Sequence, residues 1–182
     1  GELKDNFKQH VEFAMRDYSL GVDKVKNFFP VHTMEQDYKN SEYLTWLMQC
    51  ISQSNSDILI LDVRDGLSRN DLRVIKERSK VKIVTIDDPE EKRLESDLAF
   101  YPPVPQLKNI DWSEYEGNLF IGWEYAIMRN DFSQNYPKNN GPIANILVSM
   151  GGTDEKNLTK IVIEAFELVE DSFCATILLG PG

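Results

Sequence analysis

The sequence predicts an α/β fold built on a doubly wound parallel sheet, and three observations carry that expectation. DILILDV at 57–63 and VKIVTI at 81–86 are unbroken apolar runs, the pattern of parallel strands covered on both faces. Apolar residues spaced by three and four, the helical signature, recur between such runs. The two kinds of segment alternate along most of the chain in βαβα order.

Taken in order, Val11 to Ala14 reads as a short strand, and Leu20 to Phe28 as a helix carrying Val22, Val25 and Phe29 on one side. Val31 to Met34 reads as a second strand. Leu44, Leu47, Met48 and Ile51 then mark an amphipathic helix. After DILILDV, Leu67-Ser68 opens a helix running through Arg78, with Leu72 and Ile75 facing inward. VKIVTI ends at Asp87-Asp88-Pro89, and further strands are expected at Asp97 to Phe100 and Asn118 to Ile121. The proline-rich stretch Tyr101 to Pro105 is an extended connector.

Asn130 to Pro142, NDFSQNYPKNNGP, is polar and aperiodic, and it reads as an interdomain linker. Beyond it the pattern restarts with a strand at 145–150, a helix at 155–170 and a strand at 174–179. The expected organisation is an N-terminal domain over 1–129, a linker over 130–142 and the start of a second domain over 143–182. A strand–helix–strand unit of that size cannot bury both faces of its own sheet. The chain is therefore expected to be an internal fragment of a longer two-domain protein.

Composition narrows the function. The chain has 182 residues, 41% of them apolar, with 9 Phe, 7 Tyr and 3 Trp, enough for a core. A net charge of −10 argues against nucleic acid, which calls for a clustered basic surface. No apolar run approaches the ~20 residues of a bilayer span, and the N-terminus lacks a signal-peptide core. Cys50 and Cys174 have no metal-ligand spacing, and free thiols in a cytoplasmic protein account for them. No cofactor or metal is implied.

The chemistry-bearing segment is NILVSMGGTD at 145–154. Strand, paired glycines and helix form the arrangement in which backbone N–H groups face an anion such as phosphate. Gly151 and Gly152 let the backbone turn and approach a ligand closely. Thr153 or Asp154 can cap the helix. A tight connection with no ligand gives the same pattern.

Several segments occur in a telling order: ILILDV at 58–63, IVTIDD at 83–88, SDLAFYPP at 96–103, GWEYAIMRNDF at 122–132 and NILVSMGGTDEKNLT at 145–159. Together they resemble the UDP-sugar hydrolases of pseudaminic acid biosynthesis and the related spore coat polysaccharide biosynthesis proteins. These are similar to two-domain, glycosyltransferase-B-like enzymes. The resemblance implies two Rossmann-like domains enclosing a UDP-sugar cleft, with Gly151, Gly152, Thr153 and Asp154 along its diphosphate side. Tyr125 and Arg129 match the family's Tyr-Ala-x-x-Arg segment. The family's Gly-x-Gly-His turn has no counterpart here, since His10 and His32 do not follow glycines. Arg64 stands where the hydrolase carries a tyrosine, which favours the spore coat branch.

Asp62 and Asp87 fall at the carboxyl ends of predicted strands, where open α/β sheets bind ligands. Asp87 is read equally as site or turn residue, and Asp88 as a turn former. Arg129 suits a diphosphate or a salt bridge anchoring the linker. Arg64-Asp65 reads as a rim ion pair, His32 as a core or rim histidine, and Glu90 to Arg93 as a solvated charge run. Trp112, Tyr115 and Trp123 read as packing residues.

The expected function is a UDP-amino-sugar hydrolase or glycosyltransferase-like activity in surface polysaccharide or nonulosonic acid biosynthesis. The alternative is a non-catalytic nucleotide-sugar-binding or assembly module. The 182-residue chain itself is expected to be silent toward UDP-sugars.

Overall fold

The computed structural model describes residues 9–35, 39–62, 66–128, 141 and 143–180. It is α/β, and every strand pairing is parallel. The chain divides into two compact units, Gly1–Ile127 and Met128–Gly182. The segment 130–142, expected as a linker, lies outside the described residues except for Gly141.

In the first unit, β1 (Phe13–Arg16), α1 (Ser19–Val25) and β2 (Val31–Met34) form a two-stranded parallel piece. Helix α2 (Asn40–Ser54) leads to β3 (Ile58–Leu61), and α3 (Arg69–Arg78) leads to β4 (Lys82–Ile86). Short 3-10 turns at Glu91–Glu95 and Pro105–Asn109 precede β5 (Leu98–Tyr101) and β6 (Asn118–Ile121). These four strands form one sheet in the order β3-β4-β5-β6. Among the described residues no helix is long and apolar enough to cross a membrane.

One core joins the two sheets of this unit. Met34, Tyr43, Leu47 and Ile51 pack with Leu61, Leu72, Ile75 and Ile83, so α2 and α3 cover the same face. The start of α3 is locally determined by a reciprocal cap. The Asp71 N–H donates to Ser68 Oγ at 3.2 Å, and the Ser68 N–H donates to the Asp71 carboxylate at 2.7 Å.

Strand register sorts the side chains. Leu59, Leu61, Ile83, Thr85, Ala99 and Tyr101 share the helix-covered face, while Ile58, Ile60, Val84, Leu98, Phe100 and Phe120 share the other. Ile58 is 58% exposed and Ile60 49%. DILILDV is thus covered on one face within the described residues, not on both. The apolar run showed that both faces of β3 are hydrophobic, but it carried no information about which elements would cover them.

The second unit holds β7 (Ala144–Ser149), α4 (Leu158–Phe166) and β8 (Phe173–Leu178). The ring of Phe166 packs on Phe173 at 4.8 Å, tying the helix to one face of the strand pair. Helix α4 begins three residues later than the periodicity suggested. Asp154 and Asn157 both adopt left-handed backbone, at φ 44° and 51°, which cannot continue a right-handed helix.

A charged seam links α3 to the turn before β5. Glu95 accepts from Arg69 Nε at 2.7 Å and Arg73 Nε at 3.0 Å. Burial pushes the Glu95 carboxyl up, but the two guanidinium bonds outweigh it and hold it below its ordinary 4.5. With the folded value depressed, its contribution is present above 4.5 and disappears as pH falls through the lower folded value. Glu95→Gln should lower stability at neutral pH by up to about 1 kcal/mol, a partly exposed network being worth little more. Denaturant titrations across pH should show wild type and variant converging in acid.

Candidate functional site

Two places gather the residues singled out in the sequence. In the second unit, β7 runs into a turn at Gly151–Thr153. Gly151 sits at φ 83°, a conformation that strains any residue with a Cβ. A Cβ built on Gly151 or Gly152 would meet nothing within 4 Å, so both face open space. Thr153 is exposed in the same turn.

Asp154 caps the helix. Its two carboxylate oxygens accept the N–H groups of Leu158 at 2.8 Å and Thr159 at 3.0 Å. A bond from the Thr159 side chain is the main cause of its depressed pKa, with the two N–H groups adding less. Two donors at the start of α4 are therefore taken by the protein's own carboxylate. An anion at this turn must be met by backbone at Gly151, Gly152 and Thr153.

Sequence reading missed Gly180. A Cβ there would lie 1.7 Å from the Gly152 carbonyl oxygen, an impossible approach. The end of β8 thus passes directly against the glycine turn. The available signal was the glycine itself, set just after the last apolar run.

In the first unit, the candidates collect at the carboxyl ends of the strands. Asp62 follows β3 and is exposed; Arg64 and Asp65 lie outside the described residues, as does Arg129. Asp87 follows β4, half-buried, with left-handed backbone at φ 48° and its N–H donated to the Phe100 carbonyl. Tyr125 packs its ring 5.8 Å from Phe100 and 5.3 Å from Phe120, on the face opposite the helices, and is 38% exposed. Its geometry is that of a packing residue with an accessible edge.

A cleft of ≈ 390 Å³ opens beside Asp87. Asp87, Pro89, Tyr101, Pro102, Val104, Gln106, Leu107 and Ile110 line it. A buried ionic cluster follows Asp87 in the chain. Lys92 and Asp88 are each 1% exposed and Arg93 4%; of the run expected to be solvated, Glu90 and Glu91 are exposed, but Lys92 and Arg93 are not. Lys92 Nζ lies 3.3 Å from Asp88 and 2.5 Å from Glu90. Arg93 donates to the carbonyls of Glu90 and Asp111 and lies 4.9 Å over the Trp112 ring. Composition alone marks such a run as solvated; the fold buries its two basic residues because the turn supplies carboxylates and carbonyls as partners.

Asp88 makes the turn, its Oδ1 accepting the Glu90 N–H at 2.8 Å. Burial pushes its carboxyl up despite that bond and the nearby ammonium. Tyr101 donates its hydroxyl to the Asp88 carbonyl, and Trp112 packs edge-on to Tyr101 at 5.2 Å.

The chain's two histidines converge elsewhere. His10 and His32 meet the Glu12 carboxylate at 2.6 and 2.5 Å, at the amino ends of β1 and β2. The bond with His32 contributes most to holding that carboxyl low. Among the described residues no group of His, Cys, Asp and Glu could hold a metal ion.

No family model matches the chain. It is similar to the UDP-2,4-diacetamido-2,4,6-trideoxy-beta-L-altropyranose hydrolase of Campylobacter jejuni, at 30% identity over 141 residues. That alignment takes in 72% of this chain and 46% of the hydrolase. An uncharacterized protein of Methanocaldococcus jannaschii is 28% identical over 144 residues, which is 74% of this chain and 29% of that protein. The chain therefore spans less than half the length of either relative.

Gly180→Ala should displace the Gly151–Thr153 turn, since the Gly152 peptide must move to admit a methyl group. Amide NMR shifts of Gly151, Gly152 and Thr153 should change, while those around Ile83 in the first unit stay in place.

Proposed function

We propose that the chain is the nucleotide-sugar-handling portion of a UDP-amino-sugar hydrolase or glycosyltransferase-like enzyme. Its cytoplasmic pathway would supply surface polysaccharide or a nonulosonic acid. The reading is supported by the α/β parallel architecture, by the similarity to a UDP-sugar hydrolase and by the glycine turn. On this reading the two units are Rossmann-like and of glycosyltransferase-B type, divided near 130–142.

The observation that carries it is the open space over Gly151 and Gly152 at the carboxyl end of β7. A diphosphate can reach the peptide N–H groups there without displacing a side chain. Asp154 saturates the start of α4, so its role is to hold the turn, and Thr153 offers a hydroxyl beside it. Asp62, Asp87 and Tyr125 would contribute from the first unit, and Arg129 would meet phosphate oxygens.

One observation favours the non-catalytic alternative for this chain. Both histidines sit on Glu12 at the amino ends of their strands, away from the carboxyl ends where open sheets bind ligands. An imidazole base is thus not at hand for activating water.

Calorimetry with UDP on the 182-residue chain should give binding no tighter than about millimolar, ~−4 kcal/mol. Gly152→Val should abolish even that, because its added methyl groups cover the peptide N–H groups, while its Cβ meets no described atom within 4 Å. Unchanged UDP affinity in that variant would remove the phosphate role. Release of UDP from N-acetylated amino-sugar nucleotides should not be detected, and turnover lost on changing His32 would refute the non-catalytic reading.

A further inference from the structure

We infer that the seam between β1 and β3 is a docking site for one further β-strand, an extended peptide segment that is apolar on both faces. This stands apart from the nucleotide-sugar reading, since it concerns the sheet itself and not a ligand at the carboxyl ends of the strands.

The first unit has one core but two sheets. Ala14 of β1 and Leu59 of β3 both pack on the core that α2 covers, yet β1 pairs only with β2 and β3 only with β4. The Tyr43 ring of α2 lies 5.9 Å from the Arg16 guanidinium at the end of β1. The same ring lies 3.2 Å from where a Cβ on Gly66, beyond β3, would stand. One helix thus reaches both strands. A helix with its side chains is about 10–12 Å across, and strands within a sheet lie about 4.8 Å apart. Two strands that share one helix without pairing leave the width of a single strand between them.

The facing edges carry what such a strand needs. The Lys82 N–H donates to the Asp57 carbonyl, and the alternation of a parallel ladder then turns the peptide groups of Ile58 and Ile60 away from β4. The Phe13 N–H donates to the Pro30 carbonyl, which in the same way turns the Ala14 peptide away from β2. Backbone groups left at a sheet edge are a template for pairing, and natural edges are commonly blunted by lysine, proline or a bulge. The ILIL of β3 has none of these.

Side chains set the chemistry of the partner. On the α2 side the incoming residues meet Ala14, Leu59 and the core. On the other side they meet Phe13, Ile58 and Ile60, all exposed. A strand with apolar neighbours on both faces is a continuous run of residues such as Val and Ile. Residues 1–8 include Glu2, Lys4, Asp5 and Lys8, and 130–142 is polar, so neither segment holds such a run. The occupant is a separate peptide of that composition, held by main-chain bonds as in other strand additions.

The test is amide hydrogen exchange, read by NMR on the 182-residue chain with the end-blocked peptide Lys-Val-Ile-Val-Ile-Val-Lys. Exchange at Ala14, Ile58 and Ile60 should slow by about tenfold or more. Exchange at Ile121, whose N–H faces out from β6 at the opposite edge, should not change. The same peptide N-methylated at alternate residues keeps its side chains but loses donors, and it should give no protection. Ile60→Pro removes a donor that faces the seam, and Ile58→Lys blunts the edge while leaving the backbone intact. Each should return Ala14 to its peptide-free rate, and Ile58→Lys decides if Ile60→Pro fails to fold. No protection at millimolar peptide overturns the proposal. So does protection of Ile58 and Ile60 without Ala14, which is addition to an open edge, or equal protection at Ile121 or by the N-methylated peptide. Protection of the same amides that grows with protein concentration and needs no peptide would place a second copy there and overturns it as well.

Discussion

The Lys92 ammonium is withdrawn from water, and the carboxyl edge of β4 and β5 is arranged around that constraint. A buried charge without a partner is so costly that the surrounding chain must supply carboxylates and carbonyls. Glu90 and Asp88 approach the ammonium, and the turn that brings them there also delivers Arg93 to Trp112. Asp88 shows the opposing forces in one group. Desolvation drives it toward the neutral acid, while the Glu90 N–H and Lys92 favour its charge. The left-handed turn at Asp87, the posture of Tyr101 and the cleft between them follow from satisfying these groups.

Much of the first unit was legible because its signals are local and periodic. The apolar runs at 58–61 and 82–86 and the Ser68 cap each specify an element without help from distant residues. Tertiary partners were not legible. Glu90 to Arg93 has the composition of a solvated segment, and only the meeting of two turns makes a buried environment for Lys92 and Arg93. Glu12 is a near neighbour of His10 in the chain, but His32 lies twenty residues from it, and only the parallel pairing of β1 and β2 brings His32 to the same carboxylate.

The glycine turn shows the same division. That Gly151 must be glycine could be anticipated from a strand running into a helix, and its φ of 83° gives the reason. The delay of α4 to Leu158 could not, because it depends on left-handed backbone at Asp154 and again at Asn157, which helical periodicity does not register. Nor could the approach of Gly180 to Gly152, a contact between the segments that follow the two parallel strands. On the proposed reading an anion would be met there by the peptide backbone near Gly152, since Asp154 is committed to the helix.

The half-covered sheet also bears on how stability varies with temperature. Heat capacity rises on unfolding because apolar groups enter water, at about 12–15 cal/mol/K per residue in ordinary domains. Ile58 and Ile60 are already largely hydrated in the folded chain and add little to that increment. The stability curve of this chain is correspondingly flatter than its apolar content alone would give. Its hydrophobic residues are numerous enough for a steeper one; it is their placement on an open strand face that separates composition from calorimetry.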